Sequence, residues 1–146
     1  MIKNEKQYRI TKAQVRRFQD ALGELSRQQR PSNITARLWA AQHDAAQTQM
    51  YELQEQVQTY EQLHTSQSKQ VVLETIEDLP NALIRARIAA GMTQEGLARR
   101  VGLKTQQIQR YEATEYGSAS FSRILTVVQS LGLKMPKSVK LVRHDG

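Results

Sequence analysis

A chain of 146 residues with 39% hydrophobic side chains is long enough for one ordinary domain or two small ones, and apolar enough to fold. It has no apolar run of about 18 residues, and its charged start, MIKNEKQYRI, has no apolar stretch behind it, so neither a membrane span nor a signal peptide is expected and the cytoplasm is the expected compartment. Zero cysteines exclude disulfides and thiolate metal sites, and His43, His64 and His144 are too scattered to form a ligand cluster, so neither a metal nor a cofactor is expected.

The net charge of +7 is unevenly spread. Eight Lys and Arg against three Asp and Glu give +5 over residues 1–30, and two against seven give −5 over 31–79. Six against three then give +3 over 80–117, and five against one give +4 over 118–146. Basic ends flank an acidic middle. The middle is therefore expected to do something other than meet phosphate, whereas the termini and the C-terminal half suit a polyanion.

In chain order, Val15, Phe18, Leu22 and Leu25 are spaced three and four apart, which predicts an amphipathic helix over 11–29 with Thr11 as its cap and Pro31 after its end. From Pro31 to Ser68 there is no Gly and no further Pro, so a second helix is expected, capped by Ser32 or Asn33 and reaching Leu63 or His64. Met50, Leu53, Val57, Tyr60 and His64 alternate along it like a coiled-coil seam. At a rise of about 1.5 Å per residue the two helices span about 28 and about 48 Å, so about 20 Å of seam lacks a partner within the pair. Trp39, Met50, Leu53, Val57 and Tyr60 are therefore expected at a dimer or partner interface, with an intrachain hairpin as the alternative. Glu61-x-x-His64 has the spacing of half a di-metal carboxylate site, but no second such pair accompanies it, and a surface role is expected.

The polar run TSQSKQ, residues 65–70, marks a domain boundary, with a linker read over 67–80 that ends at Pro80 in the first turn of a new helix. Brief alternations at Val71 and Leu73, and at Val139 and Leu141 in the basic tail 134–146, are each an edge strand or a tether. Between them, over 81–133, four short helices are predicted: Asn81–Ala90 stopped by Gly91, Thr93–Val101 stopped by Gly102, Thr105–Ala113, and Ser120–Leu131 followed by Gly132. The last is expected to bury Phe121, Ile124, Leu125, Val128 and Leu131. The fold class is thus all-α, with a four- or five-helix C-terminal domain behind an N-terminal long-helix region, 1–66, that is hairpin or coiled-coil-like.

The second and third of these helices have the parts of a helix-turn-helix. A small residue at the close approach, one tolerant of left-handed backbone at the turn, and apolar wedges behind are supplied by Ala98, Gly102, and Leu97, Val101, Leu103 and Ile108. The stretch MTQEGLARRVGLKTQQIQRYEAT, extended through LIRARIAAG before it and FSRILTVVQSLG after it, resembles the Xre and phage-repressor class of helix-turn-helix proteins over about 50 residues. Two positions depart from that pattern. The usual Ser or Thr before the recognition helix is Lys104, which points to Thr105 capping one residue late, and Gly96 stands inside a helix at a cost of about 1 kcal/mol relative to Ala.

At 100° per residue, with Ile108 at zero, Tyr111 lies at about 300° and Glu112 at about 40°, so the exposed side centres near 170°. Gln106 at about 160° and Arg110 at about 200° are its central pair, flanked by Gln109 and Gln107. Glutamine and arginine pair bidentately with adenine and guanine edges in the major groove, so Gln106, Arg110, Gln109 and Thr105 are the expected base contacts. Gln94, at the first turn of the preceding helix, is the residue that the resemblance assigns to the DNA backbone; Thr93, Lys104 and Gln107 join it as expected phosphate contacts, and Arg99 and Arg100 add general attraction.

No glycine-rich phosphate loop, G-x-S-x-G elbow or H-E-x-x-H occurs, so no enzymatic activity is expected. The resemblance implies a sequence-specific regulator of transcription, in the first instance a homodimeric repressor on a near-palindromic operator in double-stranded DNA. Two alternatives remain open: an antitoxin that neutralises a cognate toxin through its N-terminal half and represses its own synthesis, and a non-specific architectural binder.

Overall fold

The computed structural model describes residues 1–66, 70–134, 136, 138 and 140–142. Positions 67–69 of the expected linker, and Val139 with 135, 137 and 143–146 of the tail, lie outside the described residues. Among the described residues the fold is all-helical, with six α-helices and no strand. The chain divides into two compact units, Met1–Val71 with Ile88–Gly91, and the remainder from Val72 on.

The first unit holds α1 (Glu5–Arg27) and α2 (Ala36–Thr65), an antiparallel pair. The cap of α1 is Asn4, seven residues before the expected Thr11. Asn4 Oδ1 accepts from the Gln7 amide at 2.9 Å, and Gln7 Oε1 accepts from the Lys3 amide at 2.8 Å, so a reciprocal cap forms ahead of the apolar periodicity. Thr11 becomes a buried interior residue beside Val15. Helix α2 is the longest element, but neither Ser32 nor Asn33 caps it. They lie within a turn closed from the Ile34 amide to the Pro31 carbonyl, and Thr35 takes the cap by accepting from the Leu38 amide at 3.2 Å.

The pairing is set by side chains at both ends. Tyr8 stacks on Tyr60 with ring centroids 5.1 Å apart and donates to Glu61 Oε1 at 2.5 Å, while Lys12 Nζ reaches the Tyr8 hydroxyl at 2.6 Å and Glu61 at 3.0 Å. The Tyr8 hydroxyl, and then Lys12, hold the Glu61 carboxyl below its usual range. Glu61 is thus the clasp of the hairpin, and His64 stands beside the Tyr60 ring at 6.0 Å. At the other end Ser26 Oγ meets His43 Nε2 at 3.4 Å. The expected seam is therefore the inner face of an intrachain hairpin, where Val57 and Tyr60 are buried and Trp39, Met50 and Leu53 are half-buried. With 23 and 30 residues the helices span about 35 and about 45 Å, so the length mismatch is about 10 Å and not 20.

The second unit's first element is a single 3₁₀ turn, Ile76–Asp78, and neither Val71 nor Leu73 ahead of it lies in a strand; the Thr75 amide and hydroxyl both donate to Asp78 Oδ2 at 3.0 Å. Four helices follow: α3 (Leu79–Ala89), α4 (Gln94–Val101), α5 (Thr105–Ala113) and α6 (Phe121–Ser130). Helices α3, α4 and α6 are each followed by a glycine at positive φ, Gly91, Gly102 and Gly132 at 63°, 68° and 67°. In each case the next residue's amide bonds back to a carbonyl of the last turn, Met92 to Arg87, Leu103 to Ala98 and Leu133 to Val128.

Leu83, Ile84, Leu97, Ile108 and Val127 are the most buried apolar side chains of this unit. The α6 stripe differs from the expected one. Val127 is its buried residue and Ile124, Val128 and Leu131 are half-buried, whereas Phe121 is 70% and Leu125 45% exposed. Ser120 caps α6 by accepting from the Arg123 amide at 3.3 Å, and the helix packs on α4. An apolar string with five good positions and a sixth between them admits two rotations about 40° apart, and packing selects the one that leaves Phe121 outside.

Candidate nucleic-acid interface

Helix α4 is set by Thr93, whose Oγ1 accepts from the Gly96 amide at 2.9 Å. The glycine at 96 has a local reason, since a Cβ there would stand 3.3 Å from Thr93 Oγ1 and from Met92 Cγ, crowding the cap. At the far end Gly102, in the left-handed region, turns the chain into α5. Leu97, Ala98 and Ile108, each at 1% exposure or less, form the wedge between the two helices.

Lys104, not Thr105, occupies the cap position of α5, and Thr105 is the first residue of the helix. A lysine side chain has no acceptor with which to cap, so Gln107 supplies the bond: its Oε1 accepts from the Lys104 amide at 3.0 Å. Gln107, expected to reach a phosphate, is thereby held back against its own helix start. With Ile108 and Glu112 fully buried, Gln106, Gln109 and Arg110 are exposed and Thr105 is half-buried. The outward face of α5 thus carries two amides and a guanidinium on one side of a helix whose other side is rigidly seated.

That seating rests on a polar cluster absent from the expected site. Arg87 at the end of α3 forms a two-pronged ion pair with Glu112 of α5, Nε to Oε1 at 2.5 Å and Nη2 to Oε2 at 2.8 Å, with side chains 3% and 0% exposed. Its Nη1 donates to the Met92 carbonyl at 2.7 Å, so one guanidinium joins α3, the α3–α4 turn and α5. Gln94 completes the cluster, donating from Nε2 to Glu112 Oε2 at 2.7 Å while itself only 8% exposed. The structure therefore turns the Gln94 side chain inward, toward the carboxylate. Half of the signal was present in the sequence: a glutamate at about 40° on α5 lies on the buried side, and a buried carboxylate demands a cation without naming which.

Tyr116 packs against the same cluster. It is 3% exposed and its hydroxyl has no hydrogen-bond partner among the described residues. Burial first, then the Glu112 charge, push its phenol above the usual tyrosine range. Glu115 and Tyr116 also adopt left-handed backbone, with φ of 48° and 60°, at the end of α5.

The cations around α4 and α5 are differently committed. Arg99 pairs with Glu95 on the exposed face at 2.8 Å, which lowers its attraction for a phosphate, and Arg100 Nη1 donates to the Ser130 carbonyl at 3.1 Å, joining α4 to α6. Arg85, Lys104, Arg110 and Arg123 are exposed, with no ion pair among the described residues. Thr93 uses its oxygen as an acceptor in the cap, which leaves the hydroxyl proton to donate. The described residues hold no group of three or more His, Cys, Asp or Glu placed to hold a metal ion, and no helix among them is long and apolar enough to cross a membrane.

Residues 83–137 match the family described as helix-turn-helix. No curated protein and no solved structure matches the chain. The second unit thus carries a DNA-binding domain of the Xre-like helix-turn-helix kind, the part by which a transcriptional regulator binds DNA.

Proposed function

We propose that this protein is a sequence-specific, homodimeric transcriptional repressor acting on a near-palindromic operator in the cytoplasm, at the nucleoid. The observation that carries the reading is the outward face of α5, where Gln106, Gln109 and Arg110 are exposed while Ile108 and Glu112, on the opposite side, are fully buried. A helix so seated presents the same side chains to every base pair it meets, which is what base readout needs and a diffuse phosphate binder does not. Gln106 and Arg110 read base edges, with Gln109 and Thr105 beside them. Thr93, Lys104 and the first-turn amides of α4 meet the backbone, with Gln94 acting through its main chain because its side chain is given to Glu112.

Association falls to the half-buried remainder of the hairpin, Trp39, Met50 and Leu53, because Val57 and Tyr60 are already buried within one chain. Two copies then set recognition helices about 34 Å apart, one turn of the duplex.

Footprinting on the protein's own upstream region, with protein of known mass in light scattering, tests the reading. The expected result is two protected half-sites related by a dyad. Gln106→Ala should relax preference at one base position, worth about 1–3 kcal/mol, with non-specific affinity little changed. Equal weakening on all sequences would instead identify an architectural binder. Capture of a small basic protein by residues 1–66 would identify an antitoxin.

A further inference from the structure

We infer that the outer face of α1 is a second duplex-binding surface, which grips the phosphate backbone of DNA without reading its sequence. The inference rests on the DNA-binding reading of the second unit. Lys6, Arg9, Arg16 and Arg17 are all exposed, and none forms an ion pair among the described residues. Taking Lys6 as zero, Arg9, Arg16 and Arg17 fall at about 300°, 280° and 20°, within roughly a third of the helix circumference, with the small exposed Ala13 at the middle. Thr11 and Val15, the buried residues of α1, lie on the opposite side. The four cations thus form a strip about 17 Å long facing away from the hairpin interior.

Charge on a surface helix is most often simply solvated. Three observations argue against that here. The carboxylates one turn away on the same helix, Glu5 before Arg9 and Asp20 after Arg16, form no ion pair with them among the described residues. A cation in the first turn of a helix opposes its dipole, so Lys6 weakens the helix it sits on. Within residues 3–17 six Lys and Arg face a single acid, Glu5, and the compensating Asp20 and Glu24 come only further along the face. A local cost without a local gain marks a surface kept for binding.

The partner is a polyanion of regular spacing. A strip of about 17 Å matches about five phosphates of one strand, at 3.4 Å of axis each. A bilayer surface is disfavoured because a membrane-lying helix needs its apolar face free, and α1 packs that face against α2. The duplex held by α5 is the polyanion already tethered to this chain, so even a weak second contact acts at high effective concentration.

The test uses the full chain with Lys6→Gln, Arg9→Gln, Arg16→Gln and Arg17→Gln combined, its fold checked by circular dichroism and thermal melting. Removing these charges should keep or raise the melting temperature. Affinity for a duplex of about 40 base pairs carrying the operator is measured from low to high salt for wild type and variant. The expected result is a log–log salt slope about 3 units shallower in the variant, with the ratio of operator to random-sequence affinity unchanged. An unchanged slope, with wild type still preferring its operator, overturns this surface and leaves the DNA-binding reading intact. An unchanged slope with loss of an acidic protein that co-purifies with wild type likewise overturns it and assigns the strip to that protein. Failure of wild type to bind any duplex overturns both.

Discussion

Glu112 shows how one buried residue can fix the rotation of a helix from its inner side. Its two oxygens take Arg87 Nε and Nη2 and Gln94 Nε2, and its side chain is fully buried. Breaking a buried pair from one side leaves a stranded charge, so Glu112→Gln should destabilise the domain by about 3–5 kcal/mol in thermal or urea unfolding. Its neighbour Tyr116 predicts the opposite. Its hydroxyl is buried without a partner, so Tyr116→Phe should be neutral or stabilising by up to about 1 kcal/mol. The phenol titrates higher folded than unfolded, so the folded form retains its proton while the unfolded chain loses it above about pH 10. Its contribution is complete below that pH and declines as pH rises through and beyond it. Unfolding curves from pH 8 to 11 should therefore fall less steeply for Tyr116→Phe than for wild type. Gly91, Gly102 and Gly132 were legible at this scale because each states its need alone. The ion pair was not, because Arg87 and Glu112 stand 25 residues apart and nothing in the local string names the partner.

Among the elements, α4 and α5 were legible almost to the residue, because Thr93, Gly102 and the wedge Leu97, Ala98 and Ile108 agree on one geometry. Helix α1 was not, since its true start is written in polar residues, Asn4 and Gln7, where apolar periodicity has nothing to report. Helix α6 failed differently, in rotation and not in extent. That correction has a measurable consequence: Phe121→Gln should change stability by no more than about 0.5 kcal/mol, while Val127→Ala should cost about 1–3 kcal/mol. Comparable costs at both positions in urea denaturation would restore the original stripe. The end of α5 offers a gain instead. Glu115 occupies left-handed backbone that glycine takes without strain, so Glu115→Gly should raise stability by about 0.5–1 kcal/mol despite the looser unfolded chain.

For the whole molecule, the open matter is what covers the hairpin. Across α1 and α2 only Thr11, Val15, Val57 and Tyr60 are buried, all toward the end where Tyr8 and Glu61 meet. Toward the Ser26–His43 end, Phe18, Leu22, Leu25, Trp39 and Met50 are half-buried. Two helices cannot enclose such a row by themselves, because each side chain between them retains one open flank. The shorter mismatch of helix lengths, about 10 Å, weakens overhang as a reason for the proposed association and makes this half-covered row its physical motive. A second hairpin laid against it would make a four-helix core, consistent with the two-fold symmetry a palindromic operator requires. Trp39→Ser with Met50→Ser, at positions distant from the Tyr8–Glu61 clasp, should therefore shift the mass in light scattering from about twice 16.7 kDa toward the monomer value, with helical content retained. Operator affinity should drop by more than tenfold while the footprint shrinks to one half-site, since a monomer loses the second recognition helix but keeps the base contacts of the first. A variant that stays dimeric and still protects both half-sites would move the association surface elsewhere, with the exposed Phe121 and Leu125 of α6 the next place to test.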